Sequence, residues 1–163
     1  MNFERLDKIA EQLEEIAREI RRLKRERANE ESKDVLFLAA AIQGEGAGLF
    51  SDRVKVGRWI AHTAINLFEA PWQNGRWASV ADVVRDRFHG YAGIGAPEPW
   101  AIDIARLALN EHDITGGALA MLSGNDLRNR GWPQRYDIML KEFHGPRGHS
   151  LFFYKTWAKE WNA

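Results

Sequence analysis

The first thirty residues carry apolar side chains spaced alternately three and four positions apart. This spacing is typical of a helix with a heptad seam, in which the apolar residues share one face. The stretch has neither Gly nor Pro and is rich in Ala, Leu, Glu, Lys and Arg, which favour helix. We therefore predict one long helix over residues 3 to about 31. Its seam consists of Leu6, Ile9, Leu13, Ile16, Ile20 and Leu23.

A seam of this kind needs a partner surface. Leu at most a positions, with Ile at most d positions, favours assemblies of more than two parallel strands. We predict that residues 3–27 form a coiled coil that joins copies of the chain into a homo-oligomer. The alternative is a helix that packs its seam against its own domain.

The pattern changes after residue 28. Asn29–Asp34 is polar, and we predict that it separates a helical segment, residues 1–33, from a second domain, residues 34–163. In that domain the apolar stretch Val35–Ile42 predicts a buried helix. The helix should end within Gln43–Gly48, because three glycines among these six residues disfavour regular helix.

Three further helices are predicted from their caps and apolar spacing. Ser51 or Asp52 begins the first, Ser79 begins the second, which runs to Phe88, and Pro99 begins the third, which runs to about Glu111. The predicted buried face of the first is Val56, Trp59, Ile60, Thr63 and Leu67, and that of the third is Trp100, Ile104 and Leu107.

The last third of the chain gives weaker signals. Asp113–Gly117 predicts a turn, Pro133–Phe143 another helix and Leu151–Tyr154 a short strand. The predicted fold class is therefore mainly α: a helical domain with long loops and a short β element, preceded by a long coiled-coil-like helix. Long loops are where binding groups usually lie.

Composition and charge narrow the classes of function. The 163 residues include 23 Lys and Arg and 23 Asp and Glu, so the formal net charge is zero. Without a basic excess we predict no nucleic-acid partner. The sequence contains no cysteine, which excludes a disulfide framework and a cysteine nucleophile. The longest apolar run, Val35–Ile42, is too short to cross a bilayer, so we expect no membrane insertion.

Glu45 is the residue whose surroundings most favour chemistry. It follows an apolar helix and lies between two glycines. Glycine permits close backbone approach, and apolar walls favour the neutral form of a carboxyl group. Cleavage of a glycosidic bond needs such a proton donor for the leaving oxygen. For a glutamate seen alone, the alternative is a solvated loop residue.

Segments around and after Glu45 resemble, in order, the motifs of the SleB-like cell-wall hydrolases, the family of the spore cortex-lytic enzymes. The first, Ala40–Gly48, contains the Gly-Glu of the family's catalytic stretch. The others are Val54–Gly57, Val80–Phe88, Ala105–Asn110 with Asp113–Leu119, and Gly148–Tyr154. Together they cover roughly residues 36 to 154. The chain departs from the family pattern at Arg87, where the family has Gln, and at Ile114, where it has Pro.

The resemblance implies a lysozyme-like fold, peptidoglycan as partner and a lytic transglycosylase that needs no cofactor. Glu45 would act as general acid and then base, cleaving the glycan strand between N-acetylmuramic acid and N-acetylglucosamine and leaving a 1,6-anhydro end. No signal peptide is predicted, since Met1–Asp7 is not basic and no apolar segment follows it. We expect a protein made in the cytoplasm that reaches the wall by lysis or virion delivery, as a phage or prophage lysin does.

Five residues are candidates for contact with the substrate, either because they lie in segments that resemble the family or because their aromatic rings can border or stack on a sugar. They are Arg87, Phe88, Tyr91, Trp132 and His149. The alternative for the three aromatic residues is a place in the core, and for His149 it is bonding to backbone groups. Asp113 is expected to stabilise its turn through its side chain. No metal site is predicted, because the histidines after residue 88 are too irregularly spaced.

Two other functions stay open. A muramidase that hydrolyses the same bond would need a second carboxylate. The position nine residues past Glu45, where one class of phage lysozyme has its Asp, is Val54, which leaves Glu98 or Asp113 as candidates. A non-catalytic protein would assemble through the coiled coil and bind glycan with its second domain.

Overall fold

The computed structural model describes residues 3–124 and 138–155, with side chains for 5–23, 33–124 and 138–155. The chain divides into two compact units, residues 1–33 and 34–163. Helix α1 spans Phe3–Gly44. The predicted interruption at Asn29–Asp34 is therefore wrong, since this polar segment contains no Gly or Pro and stays helical.

In the first unit, the whole heptad seam is open to solvent. Its six residues, from Leu6 to Leu23, are each between 44% and 61% exposed. All six apolar residues of the seam are thus exposed, and none is covered by another described side chain of this unit.

The second unit is built around α2, Arg53–Glu69, which packs against α3, Val80–Arg87, and α4, Pro99–Asn110. The predicted buried face of α2 is confirmed, because all five of its residues are buried. The predicted caps are confirmed as well. Asp52 accepts a hydrogen bond from the Lys55 backbone N–H at 3.0 Å, and Ser79 accepts one from that of Asp82 at 3.2 Å.

Helix α4 packs closely on α2. Its buried residues are Ala101, Ile104, Ala105 and Ala108, whereas Leu107 is 44% exposed. The prediction that Leu107 points inward is therefore wrong. Small side chains fill this face because the helices approach closely: a Cβ atom on Gly57 would lie 3.1 Å from Ile104.

A three-stranded antiparallel sheet completes the second unit. Its strands are β1, Ala120–Ser123, β2, Ile138–His144, and β3, Ser150–Lys155, in the order β1–β3–β2. β3 confirms the predicted strand at Leu151–Tyr154. The predicted helix Pro133–Phe143 is wrong over residues 138–143, which pair with β3, and residues 133–137 lie outside the described part.

An aromatic cluster attaches the sheet to α2. The Trp59 ring lies 5.9 Å from Phe143 of β2 and 5.4 Å from Phe153 of β3. Edge-to-face packing at such distances buries large apolar areas, so these three rings fix the sheet against the helices. The second unit is thus mainly helical with one small sheet. No described helix is both long and apolar enough to cross a membrane.

Candidate functional site

Two glycines bring the end of α1 against the loop that follows α3. A Cβ atom on Gly44 would collide with the backbone of Gly90, and one on Gly90 would collide with that of Gly44. Gly46 then turns the chain in the left-handed region, with φ of 86°. This backbone approach and turn set the direction of the intervening residue, Glu45.

The Glu45 carboxyl group is half-buried and oriented by one backbone bond. The Gly90 N–H donates to its Oε1 at 3.0 Å. Among the described residues, no hydrogen bond to Oε2 is observed. A second bond holds the far end of the same loop, because the Glu98 N–H donates to Oε1 of Gln43 at 2.9 Å.

Glu45 lines a cavity of about 450 Å³, within the size range of pockets that bind small molecules. We call it the Glu45 cavity. α2, the loop after α3 and the sheet form its walls. The lining residues, in addition to Glu45, are Thr63, Leu67, Arg87, Phe88, His89, Leu119, Ala120, Met121, Leu122, Ser123 and Tyr154. Of the described lining residues, only Glu45 carries a carboxyl group.

Two of the predicted substrate contacts, Arg87 and Phe88, lie in this cavity with Glu45. Phe88 is mostly buried and is one of its lining residues. The Arg87 guanidinium lies over the Trp77 ring at 5.5 Å and 3.4 Å from a carboxylate oxygen of Asp86. Burial and the nearby Arg76 lower the pKa of Arg87. An arginine stays charged at neutral pH, and the charge of Arg87 is partly offset by the nearby Asp86 carboxylate.

His149 lies behind the turn at Gly46, and it is not among the lining residues of the Glu45 cavity. Its ring is tilted against Phe50 with centroids 5.3 Å apart, and a Cβ atom on Gly46 would lie 2.9 Å from its Nε2. This Nε2 is buried without a hydrogen-bond partner among the described residues. The position makes His149 a support for the turn after Glu45.

Of the two remaining predicted contacts, only Tyr91 is among the described residues, and it does not line the Glu45 cavity. Tyr91 lies in a second cavity of about 450 Å³, which is largely apolar and also lined by Leu36, Phe37 and Pro97. Its ring packs on Phe37 with centroids 5.7 Å apart. Trp132 lies outside the described residues.

A polar network links α2 to the end of α4. Arg58 donates two hydrogen bonds to Glu111, at 2.8 and 2.6 Å, and the buried His62 lies 3.0 Å from the same carboxylate. The hydrogen bonds from Arg58, and then the single contact with His62, hold the pKa of Glu111 below its ordinary value, although burial alone would raise it. Sequence reasoning did not find this network, because its members are about fifty positions apart.

Asp113 fixes the loop that leads into β1. Burial alone would raise its pKa, but bonds from the Thr115 hydroxyl and the backbone N–H groups of Thr115 and Gly117 lower it overall. Asn66 of α2 in turn donates to Thr115 and to the Ala118 carbonyl. The predicted role of Asp113 in its turn is confirmed. Its loop positions the β1 wall of the Glu45 cavity.

Sequence reasoning missed most of the cavity wall. Thr63 was expected only to be buried on α2, and Tyr154 only to belong to a strand. The signal for the β1 wall was the apolar stretch from Ala118 to Leu122, but the sequence does not show which strand it pairs with.

Comparisons with known proteins identify no relative of this chain. The chain matches no protein-family model, no curated protein and no solved structure at the significance required.

Proposed function

We propose that this protein is a lysozyme-like lytic transglycosylase that cleaves the glycan strand of peptidoglycan, with Glu45 as general acid and base. The observation that carries the proposal is the Glu45 carboxyl group, which accepts a hydrogen bond from the Gly90 N–H on one oxygen and belongs to a residue that lines a cavity of about 450 Å³. The resemblance of residues 36 to 154 to the SleB-like family gives the substrate and the reaction type.

The geometry of the carboxyl group suits proton transfer. The Gly90 N–H fixes Oε1 and thereby the rotamer, so Oε2 can present its proton to the glycosidic oxygen. As the bond from C1 to this oxygen breaks, the leaving sugar takes the proton and positive charge develops at C1. The Glu45 carboxylate then accepts the proton of the C6 hydroxyl while O6 bonds to C1, which closes the 1,6-anhydro ring.

The lining of the cavity favours this route over hydrolysis with two carboxylates. Glu98 and Asp113, the candidates for a second carboxylate, are not among its lining residues. Asp113 bonds to its own loop, and Glu98 accepts a bond from the Trp100 indole. The ring closure needs only Glu45.

We also propose that residues 3–27 join copies of the chain, so that several catalytic units act on one polymer with increased avidity. The exposure of all six described seam residues supports a partner surface. Leu13→Lys should reduce the mass of the oligomer in light scattering. Glu15→Lys, which adds the same residue away from the seam, should leave the mass unchanged.

Digestion of purified cell walls, followed by mass spectrometry of the muropeptides, tests the cleavage. We expect 1,6-anhydro ends from the wild type and a loss of about 10²-fold or more in Glu45→Gln, the scale of a lost general acid. Reducing ends would instead indicate a muramidase. Intact walls would favour the non-catalytic assembly or glycan-binding protein.

A further inference from the structure

A third cavity, of about 430 Å³, lies between the first turns of α2 and strand β2. We call it the α2–β2 cavity. Its lining residues are Asp52, Val54, Lys55, Arg58, Trp59, Ile114 and Lys141. None of them lines the Glu45 cavity, which is bordered by β1, the opposite outer strand of the sheet. The α2–β2 cavity is therefore a separate site.

Two lysines line this cavity without a countercharge. Within the part of the chain that the structure describes, neither Lys55 nor Lys141 forms an ion pair. Lys141 is half-buried, and its ammonium group lies 5.7 Å from the centroid of the Phe143 ring, a contact that holds it beside β2. Partial burial of a cation that has no countercharge is unfavourable, and an anionic ligand would relieve it.

The balance of charges limits which anion fits. Arg58 is the third cation of the lining, but its Nε and Nη2 groups already bond to Glu111. Asp52, the carboxylate among the described lining residues, caps α2 by accepting the Lys55 N–H. The three cations, set against Asp52 and Glu111, leave one positive charge. This matches a monoanion better than a phosphate monoester, which carries up to about two negative charges at neutral pH.

The rest of the lining is apolar. Val54 is 46% exposed and Ile114 is 37% exposed, whereas Trp59 is mostly buried. Ligand sites commonly combine apolar walls with a few polar groups that fix orientation. The two exposed aliphatic side chains offer a surface for methyl groups, and the lysines offer donors for an anion.

We propose that the α2–β2 cavity binds the C-terminal carboxylate of a peptide that ends in small aliphatic residues such as alanine. The carboxylate accepts hydrogen bonds from the ammonium groups of Lys55 and Lys141, and the alanine methyl groups pack on Val54 and Ile114. A carboxylate brings the single negative charge that the lining leaves unbalanced. This site does not depend on the cleavage proposed for Glu45.

Backbone amide NMR of the full-length protein, titrated with N-acetyl-alanyl-alanine, tests the proposal. The dipeptide should shift the amide signals of Lys55, Ile114 and Lys141. The same dipeptide with an amidated C-terminus lacks the charge and should bind about threefold to tenfold more weakly. Equal affinity for the acid and the amide, or no shifts at these residues, would overturn the proposal. So would tighter binding of inorganic phosphate than of the dipeptide.

Lysine variants give a second test. Lys55→Met and Lys141→Met each remove one ammonium group and should weaken binding of the dipeptide about threefold, the scale of a partly exposed ion pair. Lys33→Met removes an exposed lysine that does not line the cavity, so it controls for the lost charge and should bind like wild type. Arg58 is kept because it also holds Glu111. Unchanged affinity in either cavity variant that keeps its Tm would contradict the proposal.

The chirality of the peptide distinguishes its sources. Tighter binding of the dipeptide built from D-alanine would point to a cell-wall stem peptide, and tighter binding of the L form to a protein C-terminus. Either result supports a carboxylate site.

The site and the cleavage fail separately. If wild-type protein digests walls but does not bind the dipeptide, only the site is wrong. If walls stay intact while the dipeptide binds, only the cleavage is wrong.

Discussion

Two carboxyl groups of the second unit, those of Glu45 and Asp113, are held in opposite ways. Glu45 accepts a hydrogen bond from one backbone donor, Gly90, and lines a cavity. Asp113 accepts bonds from Thr115 and Gly117 on its two oxygens, so its acceptor capacity is used within its own loop. Both lie in segments rich in glycine, but only Glu45 directly follows an apolar helix.

The difference separates a reactive acid from a structural one. A carboxylate whose bonds are satisfied by the fold contributes to stability and has little left to offer a substrate. One that is oriented but only partly bonded can exchange a proton. We therefore expect substitution of Glu45 to lower activity and substitution of Asp113 to lower stability.

Loss of the Asp113 carboxylate should have the largest effect on stability. Asp113→Ala leaves the backbone N–H groups of Thr115 and Gly117 without their acceptor, and we expect a loss of about 3 kcal/mol, since several hydrogen bonds to a charged group are lost together. Urea unfolding measures this change. Asp103→Ala, which alters an exposed carboxylate on α4, is the control and should change stability little. A similar loss of stability in both variants would contradict the structural role assigned to the Asp113 carboxylate.

A methyl group at the glycine contact should affect both stability and activity. In Gly44→Ala the new Cβ collides with Gly90, which must move and take its N–H away from Glu45. We expect a loss of about 2 kcal/mol, in the range of overpacked sites, and wall digestion at least tenfold slower for protein that is still folded. Gly93→Ala, in the same loop with nothing within 4 Å of the new Cβ, should behave like wild type. Equal activities of the two variants would show that this contact does not position Glu45.

The smallest predicted effect is the change in stability with pH that arises from the Glu111 network. Because the pKa of Glu111 is lowered in the folded protein, its stabilisation is present above its ordinary pKa of 4.5 and is lost as the pH falls through the folded value. The stability difference between wild type and Glu111→Gln should therefore shrink between about pH 7 and about pH 3.5. Urea midpoints at both pH values test this, and a difference that does not change with pH would contradict the assigned cause.

Local signals predicted the helices well. Asp52, Ser79 and Pro99 each start a helix as expected, because a cap depends on residues within one turn. The sheet was harder to predict. Residues 138–143 form a strand because they pair with β3 and pack on Trp59, and both partners are distant in sequence. The helix over residues 133–143 was predicted from a starting proline without knowledge of these partners.

The site was predictable only in part for the same reason. Gly44-Glu45-Gly46 marked the candidate acid, but its bond to Gly90 spans 45 positions. Phe88 and Tyr91 are three residues apart, and the intervening loop places them in two different cavities. Sequence spacing in an irregular loop does not fix which way each side chain points.

The most direct test of the account compares wall-digestion rates of Glu45→Gln and Asp113→Asn at a temperature where circular dichroism shows both variants folded. The account predicts that Glu45→Gln is slower than wild type by about 10²-fold or more, as expected for a lost general acid, and that Asp113→Asn stays close to the wild-type rate. Near wild-type digestion by Glu45→Gln would contradict it.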